Sequence, residues 1–230
     1  MEIRIYRNDD FVRKRQFYLQ PKEVHIWCIQ WNELLDYWEK HKKVLNLQEL
    51  EKAERFYFYE DRMRYLAGKV LSKQLLMQYL DEEEIVFFTH KLGKTYHKPI
   101  TGKQNIEFNI SHSGNMLLAA FARNMDIGVD VQEMAECQDY RKIAKNFFAP
   151  SEAEYIEKRK DETLFFRFWA AKEAYLKAIG IGINQGMDFF SVTNGVIKEH
   201  GKIKQDWWLI PLELHGYAAY VAVHERKEKK

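Results

Sequence analysis

Cysteine is scarce in this 230-residue chain: there are two, Cys28 and Cys137, far apart and without metal-ligand spacing. That excludes a disulfide framework and fits a reducing compartment. Long apolar runs are missing too, since no stretch approaches the ~18 consecutive apolar residues that would span a bilayer. The opening MEIRIYRNDDFVRKRQF lacks the continuous apolar segment of a secretory leader. Charge of one sign is also absent: 36 basic residues against 34 acidic leave a net +2. Such a balance does not suggest a general nucleic-acid binder, so any anion site has to come from local clusters. No low-complexity linker interrupts the chain, and only the last six residues, ERKEKK, read as a charged tail. The expectation is a soluble, cytoplasmic protein without nucleic-acid or membrane partners.

Core material is plentiful, with 46% hydrophobic and 15% aromatic residues. The length suits one large domain or two compact halves. EVHIWCIQW (23–31) alternates as a strand does, and residues 47–65 and 62–80 carry helix formers with apolar positions three and four apart. Leu66, Val70, Leu71, Leu75 and Leu76 make the stripe of a buried helix. IVFFTH (85–90) reads as a short strand, and MLLAAFA (116–122) as one too apolar to be exposed on either face. RNMD (123–126) predicts a tight hairpin between 116–122 and 127–132. Ser151 with Glu154 three residues on has a capping-box pattern, and ETLFFRFWAAKEAYLKAIG predicts a strong helix ending at Gly180. FFSVTN, DWWLIP and YAAYVAVHE return to strands. The order predicts an α+β fold of two similar halves, 1–123 and 124–230.

Three segments carry polar groups that a core does not need. In IGVDVQEM (127–134) the apolar Ile127, Val129 and Val131 alternate with Gly128, Asp130 and Gln132, so the acid and the amide share a face. In FWAAKEAYLKA, Lys172, Glu173 and Lys177 fall within an arc of ~140° at ~100° per residue. A Glu173–Lys177 pair is common on surface helices. On a helix this apolar, however, the charges must point somewhere particular, such as a cleft. FNISHSG (108–114) packs hydroxyl, imidazole and backbone donors at a strand end, which suits a phosphate-contacting turn or merely ends the strand. Neighbouring Ser and His point to opposite faces, against a nucleophile–base pair. Lys91, Lys94 and Lys98 with His97 form a basic loop, and Arg62, Arg64 and Lys69 precede it on a helix. These serve either solubility or a polyanionic ligand.

Together, HKP (97–99), FNISHSG (108–114), IGVDVQE (127–133), FFAPSEAEYI (147–156) and FWAAKEAYLKAIG (168–180) resemble, in order and spacing, the 4′-phosphopantetheinyl transferases. The likeness is to the two-halved, surfactin-synthetase-activating type and its W-x-x-K-E-A subclass, present as Trp169 to Ala174. ERFYFYEDRMRYLAGKVL (54–71) is similar to that family's first-half helix region.

The resemblance implies two α+β halves related by a pseudo-two-fold, with the active site in the cleft between them. It implies Mg²⁺-dependent transfer of the phosphopantetheine arm of coenzyme A to a serine of an apo acyl or peptidyl carrier protein, releasing 3′,5′-ADP. Asp130, Glu173 and Gln132 are the implied metal positions, with Gln132 standing where many relatives place a second acid. Glu173 is also the implied base, and Lys177 the cation at the diphosphate. Lys52, Arg64, Tyr65, Lys98, Ser111, His112, Lys172 and Lys177 are the implied coenzyme A contacts. Glu49 replaces one basic position of the first half, and His97 stands where the family's G-K-P motif has glycine. A monomer with a basic docking surface for acidic carriers is expected. The rival readings are a coenzyme A-binding protein without catalysis and a metal-dependent pyrophosphate hydrolase.

Overall fold

The computed structural model describes residues 1–13, 16–81, 85–89, 95–98, 106–181 and 186–226, with backbone alone for 86–89 and 95–98. Strands β1 (Glu2–Tyr6) and β2 (Glu23–Gln30) pair in parallel, and α1 (Asn8–Val12) lies between them in sequence. Next come α2 (Leu35–His41), α3 (Leu47–Glu54) and the long α4 (Tyr59–Leu80). The helix formers over 47–65 divide between two helices, with residues 55–58 between them. There Asn46 and Glu49 close a capping box at the start of α3, and α4 begins afresh at Tyr59. Strands β3 (Val86–Thr89) and β4 (Thr95–Lys98) form a small separate hairpin. Strands β5 (Ile106–Ser113), β6 (Met116–Arg123) and β7 (Met125–Glu133) follow, and then α5 (Tyr140–Phe147), α6 (Pro150–Arg159) and α7 (Glu162–Ile179). The chain continues through β8 (Phe190–Thr193), β9 (Val196–Glu199), β10 (Lys202–Ile203), β11 (Trp207–Leu214) and β12 (Tyr217–Glu225). Among the described residues no helix is long and apolar enough to cross a membrane.

Two sheets carry the architecture, one ordered β1-β2-β6-β5 and the other β11-β12-β7. Between them lies an apolar layer that joins Ile26 of β2 and Leu118 and Ala120 of β6 to Ile127, Val129 and Val131 of β7 and Val221 of β12. The outer face of the first sheet meets α4 through Leu117, Ala119 and Phe121 against Leu71 and Leu75. The outer face of the second sheet meets α7 through Ala222 against Ala174 and Ala178. The layers therefore run helix, sheet, sheet, helix. β6 has no polar face because it serves two cores at once, as its composition implied.

The predicted hairpin between 116–122 and 127–132 does not form. β6 pairs instead with β5 on one side and β2 on the other, while β7 pairs with β12. Asn124, at φ 57°, turns the chain from one sheet into the other, so β6 and β7 pack face to face rather than edge to edge. Apolar residues on facing strands exclude more water that way than a two-stranded ribbon would.

Candidate active site

The site lies where β5, β7 and α7 meet. β5 and β7 belong to different sheets and are joined there by side chains. Asn109 Oδ1 accepts from the Val129 backbone N–H (3.0 Å), and Ser113 Oγ accepts from the Glu133 backbone N–H (2.9 Å). Between them Ser111 Oγ donates to Asp130 Oδ1 at 2.7 Å. These three residues share one face of β5 at two-residue spacing, so the polar run FNISHSG sews the two sheets together as well as lining the site. That sewing role went unforeseen, although the Asn-x-Ser-x-Ser alternation carries it.

Glycine at 128 lets α7 lie against β7. A Cβ there would stand 2.2 Å from the Ala174 carbonyl oxygen and 2.3 Å from the Ala178 nitrogen. The helix is capped by the Asp161 carboxylate on Thr163 N–H (2.9 Å) and ends at Gly180, at φ 74°, as its sequence predicts. At this separation Lys177 Nζ donates to Asp130 Oδ1 (2.6 Å) and to Ser111 Oγ (2.9 Å). Asp130 is 2% exposed.

Gln132 enters as a donor, with its Nε2 2.7 Å from Asp130 Oδ2. A carboxylate only accepts, so the amide turns its nitrogen, not its oxygen, toward Asp130. Glu173 is half-buried and has no hydrogen-bond partner among the described residues. Burial first, and then the Asp130 charge, pushes its carboxyl above the ordinary range, while Lys177 pulls the other way. Two carboxylates thus approach one another across a lysine, and the Glu173–Lys177 surface pair suggested by spacing gives way to Lys177–Asp130. No group of three or more His, Cys, Asp or Glu side chains among the described residues is arranged to hold a metal.

His112, on the opposite face of β5 from Ser111, is open to solvent on one side. The protein packed round the rest of its ring, followed by the charges of Arg64 and Lys177, lowers its pKa. Arg64 Nε donates to the Gly114 carbonyl (3.0 Å), and its Nη1 lies 2.8 Å from Asp61 Oδ1. Beside it Tyr65 carries two ammonium groups near its ring, Lys52 at 5.4 Å and Lys69 at 5.9 Å from the centroid. Burial, then the Lys52 and Lys73 charges, lowers the Lys69 pKa, and Glu49 opposes them. Glu49 is itself 2.5 Å from Lys73 Nζ. The acid that replaces a basic position is therefore neutralised by a lysine that the sequence reading overlooked, four residues beyond Lys69.

Two expected contacts stand apart. Lys172 is 0% exposed and faces the core of its own half, with Nζ 2.7 Å from Glu152 Oε2, so it does not reach the cluster. Burial pushes the Lys172 ammonium down and the Glu152 carboxyl up, each against its partner's pull. Lys98 closes β4, but its side chain lies outside the described residues, as do Lys91, Lys94 and Pro99. The capping box expected at Ser151 and Glu154 sits elsewhere: α6 starts at Pro150, and Glu152 returns its carboxylate to Ala149 N–H at 3.2 Å.

A family model described as 4′-phosphopantetheinyl transferase, N-terminal, matches residues 29–123, and one described as 4′-phosphopantetheinyl transferase superfamily matches residues 126–222. The chain is 38% identical over 174 residues to the 4′-phosphopantetheinyl transferase HetI of Nostoc sp., covering 72% of each protein. It is 35% identical over 159 residues to the 4′-phosphopantetheinyl transferase Sfp of Bacillus subtilis, covering 67% of this chain and 68% of that protein. A mouse L-aminoadipate-semialdehyde dehydrogenase-phosphopantetheinyl transferase is 28% identical over 192 residues. The aligned segments run through both halves that build the β5–β7–α7 junction, and by this measure the chain belongs to the 4′-phosphopantetheinyl transferases, an enzyme of their two-halved, surfactin-synthetase-activating type.

Proposed function

We propose that this chain transfers the 4′-phosphopantetheine arm of coenzyme A to a serine of an apo acyl or peptidyl carrier protein, with Mg²⁺ at Asp130 and Glu173. The observation that carries the reading is the meeting of Asp130, Glu173 and Lys177 in one cluster, each from a segment that bears a family motif. The donor set fits magnesium, which takes oxygen ligands and typically only one or two protein carboxylates. Glu173, half-buried, without a hydrogen-bond partner among the described residues and raised first by burial and then by the Asp130 charge, is the kind of carboxylate a divalent ion would satisfy. Bound there, the ion supplies positive charge to the diphosphate of coenzyme A and to the leaving phosphate.

The chain's own groups do the rest. Glu173 takes the proton of the carrier serine as its oxygen bonds to the β-phosphorus. The bond from that phosphorus to the bridging oxygen breaks, and 3′,5′-ADP leaves. Lys177 offers its ammonium to the diphosphate oxygens, where charge accumulates. Ser111 and Gln132 hold Asp130 from both oxygens, fixing its direction. His112 and Arg64 donate to phosphate oxygens, and Lys52, Tyr65, Lys69 and Lys98 serve the nucleotide end. Gln132 acts through Asp130 rather than as an oxygen ligand.

Mass spectrometry of apo carrier proteins incubated with enzyme, coenzyme A and Mg²⁺ tests this reading. A carrier heavier by one phosphopantetheine is expected. Release of 3′,5′-ADP without any carrier would favour a hydrolase instead.

A further inference from the structure

We propose that the buried Lys172–Glu152 pair is a positioning device for this transfer: it fixes the rotation of α7 so that Glu173 and Lys177 face Asp130. The inference rests on the functional reading above.

Lys172 cannot touch a ligand from where it sits. Its ammonium is 2.7 Å from Glu152 Oε2 and 2.6 Å from the Phe190 carbonyl oxygen, to which it donates. The Phe190 ring centroid is 4.1 Å away and that of Phe148 is 5.7 Å. Glu152 in turn accepts from the backbone N–H of Val192 (2.6 Å) and of Ala149 (3.2 Å). One ion pair therefore ties the middle of α7 to the start of α6 and to β8, with every charged group hydrogen-bonded.

The sheet-facing side of the helix shows why such a tie is needed. It is lined by Ala174 and Ala178, which let α7 approach Gly128 closely. Alanines offer no long side chains to interlock on that face, so the rotation of α7 is set on its other faces, by Phe165 and Tyr175 in the core and by the Lys172 pair. Lys172 and Glu173 are consecutive and point ~100° apart, so anchoring the first sets the direction of the second. A buried ion pair is weak evidence for stability, because apolar residues of similar volume often do as well. Orientation is the better reason for one here. It also gives a shared purpose to the two segments FFAPSEAEYI and FWAAKEAYLKAIG, which hold Glu152 and Lys172.

The test compares wild type with Lys172→Met/Glu152→Leu, in which packing replaces charge. Melting temperature, the KM for coenzyme A and kcat of transfer are measured on each, with the coenzyme A Kd from calorimetry. A folded double variant with unchanged KM and Kd and kcat lower by about 10–100-fold is expected, since a misplacement near 1 Å costs ~10²-fold. A raised KM and Kd with kcat intact would make Lys172 a ligand contact and overturn the proposal. Unchanged kcat with unchanged KM would overturn it too, leaving the pair to stability alone. If the double variant does not fold, Glu152→Gln, which keeps the shape and removes one charge, is read by the same criteria. A wild-type enzyme that transfers to no carrier would instead sink the functional reading. The coenzyme A Kd of the variants would then decide the positional claim, unchanged supporting it and raised overturning it.

Discussion

Helix α7 makes two lysine–carboxylate pairs that differ in little but their access to water. Lys172–Glu152 is sealed, with side chains 0% and 2% exposed; Lys177–Asp130 is 28% and 3% exposed. The sealed lysine has its donors taken by a carboxylate, a carbonyl and two aromatic rings. The open lysine shares one carboxylate oxygen with a serine and keeps a face toward solvent. The same ion pairing is closed to water in one place and open to it in the other. What decides is which side of the helix each residue occupies, and that is a matter of five positions and the helical period.

The comparison breaks most sharply at Glu173, which lies between the two lysines in sequence. Glu173→Gln should lower transfer by ~10²–10⁴-fold with the melting temperature nearly unchanged, because the lost group is chemical and half-buried rather than structural. Near-normal turnover would remove this helix from the reaction. Lys172→Met should do the opposite first, costing about 3–5 kcal/mol of stability by leaving the Glu152 carboxylate buried and unpaired. Lys177→Met should cost less stability, about 1–3 kcal/mol, because Ser111 and Gln132 still donate to Asp130. Urea unfolding of both variants beside turnover measures the contrast, and equal stability losses would erase it.

Gln132→Glu sharpens the open side. It replaces the donor on Asp130 with a second negative charge, so without metal the variant should melt lower than wild type. Millimolar Mg²⁺ should recover most of the difference, and a loss that Mg²⁺ does not recover would take the metal away from this strand. The smallest effect belongs to the first half, where His25 is as sealed as Lys172. Its Nδ1 is 2.7 Å from the Tyr79 hydroxyl oxygen, which accepts from Trp27 Nε1 at 3.0 Å, and its Nε2 is 3.3 Å from Glu23 Oε2. The Tyr79 proton therefore goes to Nδ1, which leaves the ring hydrogen on Nε2, buried beside Glu23 without a hydrogen bond; Arg4 also faces Glu23. Burial holds the His25 pKa below its ordinary 6.5, with Glu23 opposing. The unfolded chain then binds the proton more readily, so this contribution is complete above about pH 6.5 and is lost as pH falls toward the lowered folded value. Urea midpoints at pH 7.5 and 5.5 should differ more for wild type than for His25→Gln.

Much of this was legible in the sequence for physical reasons. Period-2 alternation placed Asp130 on a polar face of a buried strand, and period-3.6 apolarity with Gly180 placed α7. The side of that helix was harder. Lys172 lies within ~140° of Lys177, an arc narrow enough to suggest one polar face, yet the boundary of the core passes between them. Only the partner reveals this, and Glu152 is 20 residues away. The false hairpin had a similar origin. A short turn between two apolar strands predicts pairing, but strands with apolar faces to cover can stack instead, and sequence spacing cannot tell a neighbour beside from a neighbour above. The start of α6 was misjudged because Ser151 competes poorly with Pro150, whose fixed φ suits the first helical turn.

Gly128 gives the cluster its tolerance. The three atoms that a side chain at 128 would strike belong to Ala174 and Ala178, the residues directly after Glu173 and Lys177. Even a methyl group at 128 would act as a shim beneath a rigid rod, lifting Glu173 and Lys177 together by the same amount and in the same direction. Neither could compensate for the other, because both are borne by one helix. The distance of Glu173 and Lys177 from Asp130 is thus machined into the backbone, at a position with no side chain of its own.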